Sequence, residues 1–321
     1  MRNSAAVAST TILWAIAAVL VGQSLGPQTP QPIHWDFEVS ADPLPVAAVE
    51  DTFSKLDYDV SHVRRGQAVP RILVRTIPDD LGQVPEVDRR KDLFLAAVLP
   101  LALAVNEQIS AERVEVKAMA EKIALGRDLT FLEQQELNRL ARVYRVIDDT
   151  DDADADKTPP DLSANDLIDE LMLRAAPLPV SLVLAQAAEE SAWGLSRFAS
   201  EGNALYGQWV WNDGLGIIPK SRADGQTHSV RAFRDIHEST LSYAHNLNTH
   251  RAYSAFRNVR ANMLNTTGRL DGFALAGTLT RYSGRGQAYV SSLRTIIRSN
   301  DLSALDRAQL GKPGSTSATA T

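Results

Sequence analysis

The 321-residue chain contains no cysteine, and its excess of charge is small. The absence of thiols excludes disulfide bonds, thiolate metal sites, catalytic cysteines and lipid attachment through a cysteine. With 33 basic and 39 acidic side chains, the formal charge is −6, so the basic excess typical of a nucleic-acid-binding protein is missing. Hydrophobic residues at 44% and charged residues at 22% are typical of a globular protein, and the length allows two domains.

Charged side chains are also absent near the N-terminus. After Arg2, no Lys, Arg, Asp or Glu occurs before Asp36, and residues 12–21 are all apolar. This layout predicts that residues 1–25 are a signal peptide or an N-terminal signal anchor. The apolar segment can be extended to residues 5–21, about the shortest length that spans a bilayer. No clear Ala-x-Ala cleavage site follows it, so both alternatives stay open. The expected location is the periplasm, either free or anchored in the inner membrane.

The rest of the chain divides by composition. Residues 26–45 are rich in proline and are predicted to be a linker, and residues 46–147 follow helical spacing and predict a helical accessory region. Residues 148–160 are rich in aspartate but lack the glycine turn and the terminal glutamate of a calcium loop, which predicts an acidic linker. Residues 161–311 are then a second domain, and residues 312–321 a disordered tail.

The most informative segment is a predicted helix between Pro179 and Gly194, residue types suited to the first turn and the end of a helix. Helical spacing places Glu190 at the end of an apolar stripe, with Trp193 three residues further on. An indole against the carboxyl would remove hydration and raise the pKa, as a general acid requires. Glu189 points about 100° away around the helix. An equally good interpretation is that Glu190 is a helix-end carboxylate bonded to a backbone group or an arginine.

Residues 185–194, Ala-Gln-Ala-Ala-Glu-Glu-Ser-Ala-Trp-Gly, resemble the Ala-Gln-Ala-Ala-x-Glu-Ser-x-Trp-Gly signature of the peptidoglycan glucosaminidases, glycoside hydrolase family 73. Leu-Tyr-Gly-Gln-Trp at 205–209, His-Asn-Leu-Asn-Thr-His at 245–250 and Tyr-Ser at 282–283 add a similarity to the Bax-like branch of that family. The resemblance covers about residues 158–303. It implies a mainly α, lysozyme-like α+β catalytic domain with a small β-hairpin lobe, preceded here by a helical region.

The resemblance also implies roles for particular residues. Glu190 is the expected general acid, and Tyr282 is the expected active-site hydroxyl, with a core tyrosine as the alternative for Tyr282. Side chains that contact the glycan are expected at Trp193, Asn203, Tyr206, Trp209 and Tyr289. For Trp209 the alternative is packing inside the hairpin lobe, and for Tyr289 it is packing at the start of the last helix. The segment from Tyr282 to Tyr289 departs from the family pattern, because the Asp-Pro is missing and the tyrosines are one residue further apart.

A second catalytic carboxylate is not evident. Residues 226–231, where many family members carry a glutamate, contain no acidic residue, and Asp213 and Asp224 lie in predicted loops without a supporting motif. This pattern favours a scheme in which Glu190 protonates the glycosidic oxygen while the acetamido group of the substrate stabilises the forming cation.

The remaining polar candidates have structural interpretations. Glu238 is expected to start a helix after the hairpin. His245 and His250 are five residues apart, not the four that place two ligands on one helix face, so structural hydrogen bonds are favoured over a metal site. No cofactor, metal or nucleic-acid partner is expected.

The leading interpretation is an exported endo-β-N-acetylglucosaminidase that cleaves the glycan strands of peptidoglycan. A lytic transglycosylase is the alternative among enzymes, since that group also uses a single glutamate on a lysozyme-like fold. A non-catalytic wall-binding or scaffold protein is the alternative of another class, favoured by the missing second carboxylate and the altered tyrosine segment.

The uncharged N-terminal segment predicts export of everything that follows it. A reporter enzyme that is active only outside the cytoplasm, fused after Pro45, should be active because residues 1–25 carry it across the membrane. A matched fusion that lacks residues 2–25 should be inactive. Equal activity of the two fusions would contradict export by this segment.

Overall fold

The computed structural model describes residues 33–147, 162–210, 216–218 and 229–314, with the backbone alone at residues 209 and 210. The predicted signal segment, the predicted acidic linker at 148–160 and residues 315–321 of the predicted tail lie outside these ranges.

The fold is mainly helical, as predicted. The helices are α1 (Val46–Lys55), α2 (Val60–Arg64), α3 (Val87–Ala124), α4 (Phe131–Val143), α5 (Ala164–Arg174), α6 (Val180–Ser191), α7 (Arg197–Gly202), α8 (Ile236–Thr249), α9 (Ser254–Thr267), α10 (Gly272–Ala276) and α11 (Gln287–Ser299). The strands are β1 (Phe37–Val39), β2 (Ile72–Val74), β3 (Trp209–Val210), β4 (Gly216–Ile217) and β5 (Ser229–Arg231), and short 3-10 helices occur at Leu81–Gln83, Arg251–Tyr253 and Leu302–Arg307.

Two helices begin where sequence signals place their N-termini. Thr130 with Glu133 caps α4, and Ser163 with Asp166 caps α5, each through a reciprocal pair of side-chain to backbone hydrogen bonds. Such a pair satisfies backbone N–H groups that have no partner within the helix.

The strands form two small sheets. The three-stranded sheet has the order β3-β5-β4 and is antiparallel, and it corresponds to the predicted hairpin lobe. The other sheet pairs β1 with β2 in parallel, Phe37 opposite Ile72. Strand β1 lies within residues 26–45, the segment predicted to be a linker. The prolines of that segment stand on both sides of β1 and leave its N–H groups free to pair.

Helix α3 is the central element of the fold. Its residues from Phe94 to Val105 are all buried, and it contacts α5, α6 and α8. It is the one described helix long and apolar enough to cross a bilayer, with a mean hydropathy of 1.6 over its most apolar window. Since 72% of that window is buried inside the protein, packing within the core accounts for its apolar character.

One hydrophobic core extends across both predicted domains. It joins Val49 and Val98, from residues 46–147, to Leu184 and Leu293, from residues 161–311. A second cluster joins the C-terminal half of α3 to α4 and α5. The region predicted to be accessory therefore supplies part of the wall around α6, the helix that carries Glu190.

Arg260 fixes the turn that leads into α6. The side chain is completely buried on α9, and its guanidinium donates to the carbonyl oxygens of Leu173 and Ala176 at 2.8 Å and to Asn248 Oδ1 at 2.5 Å. Burial lowers the pKa of Arg260 to about 9, which leaves it protonated at neutral pH. Its donors satisfy the carbonyl oxygen of Leu173 and share that of Ala176 with Asn248 Nδ2, which lies 3.3 Å from it.

Candidate active site

A cavity of about 390 Å³ opens at the C-terminal end of α6. Five segments form its wall: the end of α6, the loop before β3, helix α8, the 3-10 helix that follows α8, and the glycine-containing loop before α11. The lining residues are Glu190, Tyr206, Gly207, Gln208, Asn246, Tyr253, Tyr282, Ser283 and Gly284. Glu190 is the one carboxylate among them, and the other side chains are tyrosines and small polar groups.

A larger groove of about 840 Å³ lies near the other end of α6 and contains Asp306. There, Asp306 accepts hydrogen bonds from the backbone N–H and the hydroxyl of Ser181, both at 2.8 Å. Asp306 thereby caps α6 in place of a side chain at its N-cap, Pro179, so this carboxylate has a structural task. The smaller cavity is therefore the better candidate for chemistry.

The Glu190 carboxyl is half-buried and has a raised pKa. Burial is the main cause, because it removes water from the charged form. A hydrogen bond from the Tyr289 hydroxyl opposes the rise, the neighbouring Glu189 charge adds to it, and the Arg285 charge opposes it. The net effect is a pKa above the ordinary value of a glutamate, which is the direction that a general acid needs.

Glu189 occupies a different environment from Glu190. It forms an ion pair with Arg285 and accepts a hydrogen bond from the Ser292 hydroxyl at 2.8 Å, and its side chain is only 16% exposed. These contacts join α6 to α11 and to the loop before it. Glu189 is absent from the cavity lining, as expected from its direction on the helix.

Tyr282 contributes the ring that forms one wall of the cavity. Its hydroxyl donates to the backbone oxygen of Tyr206 at 3.0 Å, and its ring stacks on that of Tyr289 with centroids 5.5 Å apart. Burial raises the pKa of Tyr282, so the phenol stays neutral. The predicted position at the site is observed, and the role of its hydroxyl in the reaction stays a prediction.

Tyr206 and Tyr289 are both almost completely buried, and of these two tyrosines only Tyr206 lines the cavity. Tyr206 is 1% exposed, and its ring stacks on Tyr243 with centroids 4.0 Å apart. Tyr289 is also 1% exposed, in the first turn of α11, where the alternative interpretation placed it. It is absent from the cavity lining and lies behind Glu190 as a hydrogen-bond partner. The expected contact of the Tyr289 side chain with glycan is corrected accordingly.

Trp193 does not cover Glu190, contrary to the sequence-based expectation. Helix α6 ends at Ser191, and both Ala192 and Trp193 have a left-handed backbone, with φ of 52° and 60°. The chain therefore turns, and the indole contacts Phe94 on α3 with ring centroids 5.8 Å apart and lies 5.1 Å from Lys91 Nζ. The prediction from helical spacing placed Trp193 wrongly because α6 ends before that residue.

Asn203 has a structural position instead of the expected contact with glycan. It ends α7 in a left-handed conformation with φ of 53°, which asparagine tolerates better than most residues. Its Nδ2 donates to the backbone oxygens of Phe233 and Arg234, both at 3.2 Å. Asn203 thus joins α7 to the chain after β5 and does not line the cavity.

Several candidates from the hairpin lobe lie outside the described residues. The backbone of Trp209 is in β3, but its side chain is not described, so its contact with glycan stays a prediction. Asp213, Asp224 and residues 226–228 also lie outside the described ranges.

Glu238 starts helix α8, as expected. Its backbone N–H donates to Asp235 Oδ1 at 2.8 Å, and its carboxylate accepts from the backbone N–H of Arg234 at 2.9 Å. The two histidines make structural hydrogen bonds, in line with the preferred interpretation. His245 Nε2 lies 2.6 Å from the backbone oxygen of Val143, and His250 Nδ1 accepts from the backbone N–H of Ala252 at 3.2 Å.

Sequence reasoning missed Gly207, Gln208, Asn246 and Tyr253, all of which line the cavity. A signal existed for three of them, since Gly207 and Gln208 follow Tyr206 in the Leu-Tyr-Gly-Gln-Trp motif and Asn246 lies in the segment 245–250. Gly207 has φ of 62°, and a Cβ atom there would lie 3.2 Å from Glu190 Oε2. Asn246 opposes the rise that burial causes in the pKa of Tyr253.

A helical domain with a small β lobe and a protonatable glutamate at the end of a buried helix is the arrangement expected of a glycan-cleaving enzyme. The family model described as mannosyl-glycoprotein endo-beta-N-acetylglucosaminidase, Glucosaminidase, matches residues 167–302, which contain Glu190 and Tyr282. Residues 167–302 are therefore similar to the glucosaminidase family, and this match supports a glycosidase-type enzyme that acts on the cell wall.

Within that family, the Bax-like resemblance is confirmed. Protein bax of Escherichia coli (strain K12) is 29% identical to this chain over 221 residues, which are 69% of this chain and 73% of the relative. The similarity thus extends well beyond the matched domain. No solved structure matches the chain at a significant level.

The close approach of Gly207 to Glu190 generates a prediction. In Gly207→Ala, the new methyl group should displace the Glu190 carboxyl, and the left-handed backbone should add strain of about 1–2 kcal/mol. We expect a loss of glycan-cleaving activity of at least about tenfold, since small displacements of a catalytic group reduce rates strongly. Activity and urea denaturation should be measured on the same preparation.

Gly268→Ala is the matched control. Gly268 has φ of 65°, close to that of Gly207, but a Cβ there meets no atom within 4 Å. It should lose similar stability and keep full activity. If both variants lost activity equally, the contact between Gly207 and Glu190 would have no catalytic importance.

Proposed function

We propose that this protein is an exported endo-β-N-acetylglucosaminidase that cleaves the glycan strands of peptidoglycan, with Glu190 as its general acid. The observation that carries the proposal is the raised pKa of a half-buried glutamate in the wall of a cavity that holds no other described carboxylate. Similarity of the domain to the glucosaminidase family supports the substrate class. Because peptidoglycan lies outside the cytoplasmic membrane, the proposal includes export through residues 1–25.

The reaction begins with proton transfer from Glu190 to the glycosidic oxygen, which makes the departing sugar a neutral alcohol. Positive charge then develops on the ring of the sugar that stays behind. In the proposed scheme, the acetamido oxygen of the substrate stabilises that charge. Water completes the reaction, and the ionised Glu190 takes up the proton that the water releases.

The ionised form of Glu190 must be tolerated between these two steps. The Tyr289 hydroxyl donates a hydrogen bond to this carboxylate, and the Arg285 charge also favours the ionised form. Burial and these two contacts act in opposite directions on the pKa of Glu190. A group that must both give and take a proton at one pH benefits from such a balance.

Polar groups around Glu190 suit an N-acetylated sugar. Gln208 Oε1 is buried and has no hydrogen-bond partner within the described structure. It can accept from the N–H of an acetamido group, and the Asn246 and Ser283 side chains line the same cavity. A pocket with a few convergent polar groups and aromatic walls is typical of small-molecule and sugar sites.

The assignment of the acid predicts a difference between adjacent glutamates. Glu190→Gln keeps the shape of the side chain and removes the transferable proton, so kcat should fall by about 10²- to 10⁴-fold with folding unchanged. Glu189→Gln weakens the contact with Arg285 and should reduce kcat less than about tenfold. Release of soluble fragments from purified peptidoglycan measures both. Equal losses would show that the acid is misplaced.

The proposed bond specificity predicts the chemistry of the products. Purified peptidoglycan is digested, reduced with borohydride and analysed by mass spectrometry. Hydrolysis by a glucosaminidase leaves reducing N-acetylglucosamine ends, which become N-acetylglucosaminitol. A lytic transglycosylase would instead leave anhydromuramyl ends that resist reduction. The absence of released fragments, under conditions in which a muramidase works, would contradict catalysis and favour a wall-binding protein.

A further inference from the structure

Behind Glu190, three buried side chains form a continuous hydrogen-bonded chain. The Tyr243 hydroxyl donates to Gln186 Oε1 at 2.6 Å, and Gln186 Nε2 donates to the Tyr289 hydroxyl at 2.9 Å. The Tyr289 hydroxyl is in turn the hydrogen-bonding group that opposes the rise in the pKa of Glu190, as a donor to the carboxylate does. Gln186 and Tyr243 are 0% exposed and Tyr289 is 1% exposed, so water does not compete for these bonds.

The amide of Gln186 gives this chain a direction. With its oxygen towards Tyr243 and its nitrogen towards Tyr289, each hydroxyl hydrogen has an acceptor. If the amide were turned round, the Tyr289 hydroxyl would donate to Gln186 and Glu190 would lose its donor. The Tyr243 hydrogen would then have no acceptor among its described partners. An unsatisfied buried donor costs free energy, so the observed direction is favoured.

The direction has a consequence for the proton on Glu190. Because the oxygen of Tyr289 already accepts from Gln186, the hydroxyl of Tyr289 meets Glu190 as a donor. The protonated carboxyl of Glu190 is then free to present its own hydrogen to the cavity. With the opposite direction, the lone pairs of Tyr289 would face Glu190 and would accept that hydrogen inside the protein.

We propose that Gln186 is a positioning residue for Glu190: by orienting the Tyr289 hydroxyl as a donor, it keeps the acid proton of Glu190 directed towards the substrate. Tyr243 holds the Gln186 amide in the required orientation. The proposal rests on the proposed function for its catalytic meaning, while the hydrogen-bond chain itself is independent of any substrate.

Two variants break the chain at different points, and both act through Tyr289. Gln186→Met has a similar length but no amide, and Tyr243→Phe removes the donor that fixes the amide. In each variant, Tyr289 can turn and accept the hydrogen of Glu190, which stabilises the protonated form. The pKa of Glu190 should therefore rise, and kcat should fall by about tenfold to a hundredfold, less than in Glu190→Gln.

Tyr58→Phe is the matched control for loss of a buried tyrosine hydroxyl. The Tyr58 hydroxyl donates to the backbone oxygen of Ala96 at 3.0 Å, within the same core but outside the Glu190 chain. Removal of the Tyr58 hydroxyl should lower the free energy of unfolding. The pKa of Glu190 and the pH dependence of kcat should stay as in the wild type. Tyr289→Phe is the second reference, because in its background neither Gln186→Met nor Tyr243→Phe should shift the pKa of Glu190 further.

The experiment combines two readouts on the full-length chain. Carbon-13 NMR of the glutamate carboxyls, with Glu190 assigned from Glu190→Gln, follows its titration without substrate, and the pH dependence of kcat follows catalysis. We expect the titration and the alkaline limb of the kcat profile to move together to higher pH in both variants. An unchanged titration of Glu190, or an equal shift in Tyr58→Phe, would overturn the proposal. Failure of the wild type to cleave peptidoglycan would instead overturn the proposed function. The titration of Glu190 would still test the hydrogen-bonded chain of side chains behind it.

Discussion

Helix α6 is enclosed by protein along almost its whole length, and the position of Glu190 follows from that enclosure. Every residue from Val180 to Ala188 is buried, against α3, α10, α11 and the last 3-10 helix. Each fully buried Leu or Val contributes about 1.5–3 kcal/mol relative to exposure. The helix meets solvent only at its last turn, where its residues include Glu189 and Glu190. Burial of the helix thus determines both the position of Glu190, the proposed acid, and how much water reaches its carboxyl.

The same enclosure gives the two adjacent glutamates different tasks. Glu189 is neutralised by Arg285 and holds the loop before α11 against the helix. Glu190 has no such ion pair in the described structure, only the Tyr289 hydroxyl as a partner, and it faces the cavity. Neighbouring residues of one helix can therefore differ as a structural anchor and a proposed acid do, because a rotation of about 100° separates their surroundings.

Local signals in the sequence predicted a large part of this arrangement. The capping pairs at Thr130 and Ser163 each lie within one helical turn, so they can be recognised in the sequence without knowledge of the fold. Glu190 was identifiable from its position on an apolar helix and from a long motif. Trp193 was misplaced because the left-handed residues after Ser191 leave no mark in helical periodicity. The pairing of β1 with β2 and the contact between Tyr289 and Glu190 join distant parts of the chain, and composition or spacing does not encode such contacts.

The two ends of the described chain meet on one side of the molecule. Val69 pairs with the segment around Leu310 through hydrogen bonds to Gln309 and Gly311, and the N–H of Gly314 donates to Asp36 at 2.9 Å. Anything joined to the chain before Asp36 or after Gly314 therefore leaves the fold from the same place. A tether at either end would hold the protein at a single point, about which the whole body could pivot and turn the cavity beside Glu190 through many angles.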